Sequence, residues 1–467
     1  MTIAKASRLR VYKPCSKEEF MLKQTELSMF CHQCEMSAPN GCGAKGQALG
    51  TCGKTATLAR LQDTMIFGLK GLSAYRQHAR DLGADTAPVD DVINESLYFT
   101  LTNVNFNFDD HIAQLMKIGK AGVEAMDLLG AAHAKRLGTP SPVRITQNKA
   151  EGKAILVSGQ DLDLLKKLLA ATEGKGINIY THSEMLPAHG YPELRKFSHL
   201  KGNIGKAWFD QTQLFEKWAG AILVTTNCII PPKKNCSYLD RLFTYKIVGV
   251  EGAKKIDGED FREIIEKTLA LPAVTGFDSD ATLSTGHHYS SVLAHAPQIL
   301  EAVKGGKIKE FFVIAGCDAP GKGGEYYREL AEGLAEDRVI ITSSCGKFRF
   351  NDIDFGTVPG TAIPRYLDLG QCNDSNGAVH IAQALGQALG VPIQDLPINI
   401  VLSWMEQKAV LILLALFSLG IKNVYIGPKA PQFVNQDILS FLTQHFNLRL
   451  TTTVEEDFGI PLIKKAA

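Results

Sequence analysis

The 467-residue chain has almost no net charge: fifty Lys plus Arg stand against forty-nine Asp plus Glu, a formal +1 at pH 7. It has no block of like charges either, so neither nucleic acid nor an anionic membrane surface is expected as a partner. A long hydrophobic run is also missing. The most apolar stretch, Val410 to Gly420, falls short of the roughly 20 residues that span a bilayer and follows the polar Glu406-Gln407-Lys408, so a buried helix is expected there. Residues 1–27 contain Lys and Arg but no apolar secretion-signal core, which makes a cytoplasmic protein the expectation. Low-complexity tracts and short-period repeats are absent.

Cysteine, by contrast, is plentiful. Ten thiols in a reducing compartment are not expected to pair as disulfides, which leaves buried bystanders, metal ligands or catalytic groups. Cys31, Cys34, Cys42 and Cys52 fall within 22 residues, whereas Cys228, Cys236, Cys317, Cys345 and Cys372 are spread over the C-terminal half and Cys15 stands alone.

At ~100–200 residues per domain the length allows two to four domains. From Lys54 to Leu82 apolar residues recur at helical spacing (Leu58, Leu61, Met65, Leu69, Leu72), and Asp90 to Val104 and Asp109 to Leu137 read the same way. Gly138-Thr139-Pro140-Ser141-Pro142 breaks this pattern, and the polar run to Gly152 reads as a linker. Short apolar strands then alternate with helical stretches: Ala154 to Val157, Ile177 to Thr181, Ala221 to Thr225, Phe311 to Ala315, Val339 to Thr342, Ile398 to Leu402 and Val424 to Ile426. The expectation is an α/β multidomain protein: an extension (1–27), a helical bundle (28–147) and two Rossmann-like αβα domains with mostly parallel sheets (148–290 and 291–467), joined near Gly286 to Ser291.

In such sheets ligands gather beyond the carboxyl ends of strands. After the expected strands stand Gln160, Glu184, Asn227-Cys228, Cys317, Cys345, Cys372 and Glu406. One buried Cys is readily a small hydrophobe, but four thiols and two carboxylates at equivalent places are not a coincidence of packing. Thiolates suit soft metals and iron–sulfur clusters and carboxylates suit harder iron sites, so the mixed set points to a cluster with both sulfur and oxygen ligation. Upstream, Cys31-X2-Cys34-X7-Cys42-X9-Cys52 in a Gly-rich loop is the dense spacing of a metal site, zinc or an iron–sulfur cluster.

Two motifs match nucleotide fingerprints by letter only. Gly41 to Gly46 reads G-x-G-x-x-G, but no strand precedes it and Cys42 holds its second position; Gly316 to Lys322 reads G-x-x-x-x-G-K, but Gly323 stands where a P-loop has Ser or Thr. Cys15 and Cys236 lie in unremarkable contexts, His287 and His288 read as loop residues, and His189 either lines a site or caps a turn.

With these residues in view the chain resembles the hybrid-cluster proteins, also called prismane proteins or hydroxylamine reductases. The resemblance runs from about Met29 to the C-terminus and is carried by Met29-Phe30-Cys31-His32-Gln33-Cys34, Tyr180 to His189, Asn227-Cys228-Ile229-Ile230, Cys345 to Asn351, Gly370 to Asp374 and Ser403 to Lys408. It implies a hybrid [4Fe-2O-2S] cluster on Gln160, Glu184, Cys228, Cys317, Cys345, Cys372 and Glu406, with Cys317 as the persulfide position. Glu184, Cys317, Glu406 and Lys408 become the catalytic candidates, with His189 a further proton donor. It also implies a [4Fe-4S] or [2Fe-2S] cluster on Cys31, Cys34, Cys42 and Cys52 through which electrons enter.

The implied activity is reduction of small N–O compounds, hydroxylamine to ammonia or nitric oxide to nitrous oxide, fed by an external ferredoxin or flavin/iron–sulfur reductase. The alternative is nitric oxide sensing or protein S-nitrosylation without efficient turnover; fold likeness alone would bring in carbon monoxide oxidation. Three departures stand out. The family's His ligand is replaced by Gln160, the helical region is that of short members, which form carbon monoxide dehydrogenase-like homodimers, and the last N-terminal Cys interval is longer than usual.

Overall fold

The computed structural model describes residues 31–38, 41–42, 49–147, 151–275, 281–403, 406–431 and 433–461. The extension with Cys15 lies outside the described residues, as do Met29, Phe30, Trp404 and Met405.

Three helices form the first layer: α1 (Ala56–Asp81), α2 (Ala87–Phe99) and α3 (Phe108–Leu137). Each start is encoded locally. The Thr55 hydroxyl accepts from the Leu58 amide at 3.2 Å and the Asn107 carboxamide from the Asp110 amide at 3.1 Å, while Pro88 occupies the first turn of α2. Helix α3 has Asp109 and Asp110 in its first turn and Lys135 and Arg136 in its last, opposing the helix dipole at both ends. The periodic set Leu58, Leu61, Met65, Leu69 and Leu72 is buried, packed on Leu115, Ile118, Met126 and Leu129 of α3. The second helix ends at Phe99, short of the expected Val104; Leu101, Val104 and Phe106 are exposed, so no packing rewards its continuation.

Two six-stranded sheets follow. The first contains β1 (Lys153–Ser158), β2 (Ile177–His182), β3 (Leu200–Asn203), β4 (Ala221–Val224), β5 (Leu242–Tyr245) and β6 (Lys254–Ile256). The second contains β7 (Glu310–Gly316), β8 (Arg338–Thr342), β9 (Tyr366–Asp368), β10 (Ile398–Ser403), β11 (Val424–Gly427) and β12 (Arg449–Leu450). Their spatial orders are β3-β2-β1-β4-β5-β6 and β9-β8-β7-β10-β11-β12, with every pairing parallel. Both are doubly wound, and each reverses direction between its first and fourth strand, where a crevice opens at the carboxyl ends.

The seven expected strands appear within a residue or two, because they are buried and read as apolar runs, whereas β5, equally buried between β4 and β6, lies outside the expectation. So do strands β3 and β6 at one sheet's edges: Leu200-Lys201-Gly202-Asn203 and Lys254-Lys255-Ile256 carry the polar and charged residues that protect an edge. The expected linker is also partly strand. Val143–Thr146 pairs antiparallel with Thr282–Thr285, and the expected joint at Gly286 leads into a short helix, Tyr289–Leu293, whose start is capped by the His288 ring. His287 is buried rather than a plain loop residue.

One helix joins the layers. Between β10 and β11 runs α5 (Gln407–Ser418; α4 is Leu162–Thr172 in the first sheet), the apolar stretch expected to form a buried helix. Its Val410, Leu411 and Leu414 belong to the same core as α1 and α3. Glycines let the backbones meet: a Cβ on Gly119 would lie 2.2 Å from the Leu414 carbonyl oxygen, and one on Gly71 would lie 2.8 Å from that of Gln407. The helical layer therefore grips the second sheet at the residues that immediately follow β10.

Candidate active site

The carboxyl ends of the two sheets face each other, and the strand-end residues make contacts between them. Ser183 Oγ lies 3.1 Å from Cys345 Sγ. The Cys372 amide donates to Glu184 Oε2 at 2.7 Å, and Gln160 Nε2 donates to Cys372 Sγ at 3.3 Å. Gln371 Nε2 reaches back to the Gln160 and Glu184 carbonyl oxygens at 3.1 and 2.8 Å, and Trp208 Nε1 donates to the Cys317 carbonyl at 2.7 Å. Within the second sheet, Cys317 Sγ lies 3.3 Å from Glu406 Oε1, which also caps α5 by accepting from the Lys408 amide at 3.1 Å.

Gln160, Cys228, Cys317 and Glu406 follow the four strands that flank the two switch points, Glu184 and Cys345 follow the next strands out, and Cys372 follows the edge strand β9. Backbone strain is concentrated here. Of the eight non-glycine residues with positive φ among the described residues, four are Ser183, Cys228, Asp318 and Ser344, each a candidate ligand or its direct neighbour. Such conformations cost about 1–3 kcal/mol each and persist where the surrounding structure holds them, commonly at functional sites. Gly316, before Cys317, has φ +115° and no room for a side chain, since a Cβ would lie 2.2 Å from the Ser403 carbonyl oxygen.

The electrostatics show how close the groups are. Burial, then Glu406, Cys228, Cys345 and Cys372, pushes the Cys317 thiol well up; Cys345 and Cys372 are also pushed well up by burial, and Cys228 to about 12. Burial raises Glu184 as well, against the opposing pull of Lys347 and the Cys372 amide. Crowded together and largely withdrawn from water, the four thiols and the carboxylate favour their neutral forms until a cation compensates them, which is what bound metal does.

The residues fit a polynuclear metal group. Glu184 Oε1 is buried with no hydrogen-bond partner among the described residues, a carboxylate oxygen left free while its twin is used. No three His, Cys or carboxylate groups among the described residues converge on one point as a single ion demands. A cluster makes the other demand, since each side chain then holds a different metal atom.

Lys408 is 3 % exposed and donates to Asn227 Oδ1 at 2.8 Å and to Gln160 Oε1; its ammonium lies 5.3 Å from the centre of the Tyr75 ring. Tyr75 is fully buried. Sequence reasoning misses it as a site residue because its place in the apolar period of α1 is that of a core residue. Lys347 is missed too: it ties the Cys345 turn to the approach of Cys372, donating to Asp368 Oδ1 and the Gly370 carbonyl, both at 2.6 Å. Gln371 has no signal beyond lying next to Cys372.

The histidines are used elsewhere. His189 Nε2 lies 2.9 Å from Thr181 Oγ1, and burial lowers this imidazole to about 4, so it is neutral near pH 7 and makes no hydrogen bond to the candidate ligands. His182 Nδ1 meets Ser158 Oγ at 2.9 Å. Cys236 packs beside an apolar cluster.

Of the N-terminal thiols, Cys31 and Cys42 are buried together against Ala59, Cys52 is half-buried and Cys34 exposed. The segment is tied by Ser37, whose hydroxyl donates to the Cys31 carbonyl at 3.0 Å, and by the buried Lys54, which donates to Gln33 Oε1 at 3.1 Å and Gln62 Oε1 at 2.5 Å.

The chain is similar to known proteins. The hydroxylamine reductase of Thermotoga petrophila is 48% identical over 431 residues, 92% of this chain and 98% of that protein. That of Methanothermobacter thermautotrophicus is 44% identical over 432 residues, 92% and 99% of the two chains. Among solved structures, carbon monoxide dehydrogenase IV from Carboxydothermus hydrogenoformans superposes with a TM-score of 0.75 at 16% identity, covering 95% of this chain and 94% of that one. A nickel-free carbon monoxide dehydrogenase from Thermococcus sp. AM4 gives 0.74 at 17% identity, covering 94% and 92%. At such identities these structures speak for the fold alone. The model of the Prismane/CO dehydrogenase family matches residues 29–113 and 89–459, and with strand-end thiols and carboxylates meeting across two doubly wound sheets the chain belongs to that family.

Proposed function

We propose that this chain is an iron–sulfur oxidoreductase that reduces hydroxylamine to ammonia, with nitric oxide as a second N–O substrate. The hybrid [4Fe-2O-2S] cluster is held by Glu184, Cys228, Cys317, Cys345, Cys372 and Glu406. The observation that carries this reading is the meeting of four thiols, Cys345 and Cys372 buried and Cys228 and Cys317 half-buried, with two carboxylates between facing strand ends, Glu184 Oε1 being unpartnered among the described residues. Its relatives at 44–48% identity bear the name hydroxylamine reductase.

When bound, the cluster supplies electrons and a Lewis-acidic position for an N or O atom. The protein's share is separate. Cys345, Cys372 and Glu184 are buried and Cys228 and Cys317 half-buried, which limits the access of water, and the buried Lys408 presents a fixed ammonium at the site for a substrate oxygen. Conversion of hydroxylamine to ammonia and water takes up two electrons and two protons. Cys31, Cys34, Cys42 and Cys52 would hold a [4Fe-4S] or [2Fe-2S] cluster, which would supply an entry point for electrons from an external ferredoxin or flavin/iron–sulfur reductase, and the working unit would be a homodimer.

Anaerobically loaded protein, assayed for iron, sulfide and nickel, for paramagnetic resonance and for turnover with a reduced viologen dye, tests this. Iron and sulfide for two clusters, no nickel, and ammonia formed from hydroxylamine are expected. Stoichiometric nickel with carbon monoxide oxidation would overturn the reading. A loaded protein that binds nitric oxide but turns over no hydroxylamine would replace it with a sensing role.

A further inference from the structure

Gln160 stands where the family's imidazole ligand is expected, 2 % exposed at the end of β1. Both atoms of its carboxamide are occupied. The oxygen accepts from the Lys408 ammonium, and the nitrogen donates to Cys372 Sγ at 3.3 Å. The assignment of the two atoms follows from the neighbours: an ammonium only donates, so it faces the oxygen, which turns the NH₂ toward the sulfur. The Gln160 backbone is held as well, its carbonyl accepting from Gln371 Nε2 at 3.1 Å.

Neither amide atom is a ready metal donor in this setting. The nitrogen lone pair is delocalised into the carbonyl, and a metal cation on the oxygen would sit against the Lys408 charge. Lys408 has little freedom to leave, because Asn227 Oδ1 holds it at 2.8 Å and the Tyr75 ring faces it at 5.3 Å.

We infer that Gln160 does not coordinate iron but bridges Lys408 to Cys372, so that the cluster rests on six protein groups and the position an imidazole would take is open to a small exogenous N- or O-donor ligand. This rests on the hybrid-cluster reading and specifies its ligand shell. Gln160 is thus a positioning residue. It accepts from the Lys408 ammonium and places an N–H on the Cys372 sulfur, where hydrogen bonding tunes a cluster.

The test compares loaded parent, Gln160→Leu and Gln160→His protein by iron and sulfide content, paramagnetic resonance and titration with sodium azide. Gln160→Leu is expected to keep the parent's iron content while its resonance shifts, because the hydrogen bond to Cys372 is lost. Azide should perturb the parent and Gln160→Leu spectra with similar affinity and bind Gln160→His at least ~10-fold more weakly, the imidazole having taken the position. Loss of about one iron in Gln160→Leu from a fully loaded parent would overturn the inference alone, as would equal azide affinity in all three proteins. A parent that takes up no iron between the sheets would overturn the functional reading and this inference with it.

Discussion

The Lys347 ammonium lies 2.6 Å from Asp368 Oδ1, and both side chains are completely excluded from solvent. Lys347 belongs to the turn that begins with Cys345, and Asp368 ends β9, four residues before Cys372. The pair therefore sets the spacing of two candidate ligands. Asp368 Oδ1 accepts a further bond from the Gly370 amide at 3.0 Å, whereas Oδ2 has no partner among the described residues. Removing the cation leaves an uncompensated buried carboxylate. Lys347→Met should cost about 3–5 kcal/mol in urea unfolding of the metal-free protein. Lys347→Met with Asp368→Leu should recover much of that loss; a single variant as stable as the parent would contradict this role.

The glycines of α3 separate close approach from helix propensity. Gly119→Ala would drive a Cβ into the Leu414 carbonyl and push α5 away from α3, displacing Glu406 and Lys408 at its start. A stability loss of about 1–3 kcal/mol is expected, together with a fall in turnover. Gly130 lies in the same helix with open space for 4 Å around the place a methyl group would take, so Gly130→Ala should instead stabilise by about 0.5–1 kcal/mol. Thermal melts of the two variants should move in opposite directions.

His133, in α3, is buried against Tyr191, and burial lowers it to about 4 from an ordinary 6.5. The unfolded chain takes up a proton on this ring below about 6.5 while the folded chain resists until about 4. Its contribution is therefore complete above 6.5 and disappears as pH falls toward 4. His133→Leu should flatten the acid limb of unfolding free energy against pH by on the order of 3 kcal/mol over that window. Parallel curves for parent and variant would rule the assignment out.

Cys31→Ser tests whether the two thiol sets hold separate groups. Iron content should fall by one small cluster and reduction by an external donor should stop, while the resonance signal of the site between the sheets survives. If both signals vanish together, the two sets form one structural unit.

Much of this is legible in the chain itself. The period of Leu58, Leu61, Met65, Leu69 and Leu72 marks α1 because one buried face of a helix imposes it, and the central strands read as apolar runs because both their faces are covered. The thiols and carboxylates at strand ends can be gathered from the sequence because parallel sheets put their chemistry there. Polar edge strands such as Lys254–Ile256 carry no such mark, and Tyr75 and Lys347 look like ordinary core and turn residues until their neighbours are known.

By itself the sequence determined the residue types and their positions along each local element, because helix and strand periods depend on neighbours a few residues away. The tertiary structure decided which strand ends meet. Gln160 and Cys372 are 212 residues apart, as are no two residues of any local motif, and Lys408 reaches Gln160 across 248. Whether Gln160 meets a metal or a lysine depends on how the first sheet, the second sheet and the helical layer close on one another, and that depends on long-range packing rather than on any local pattern.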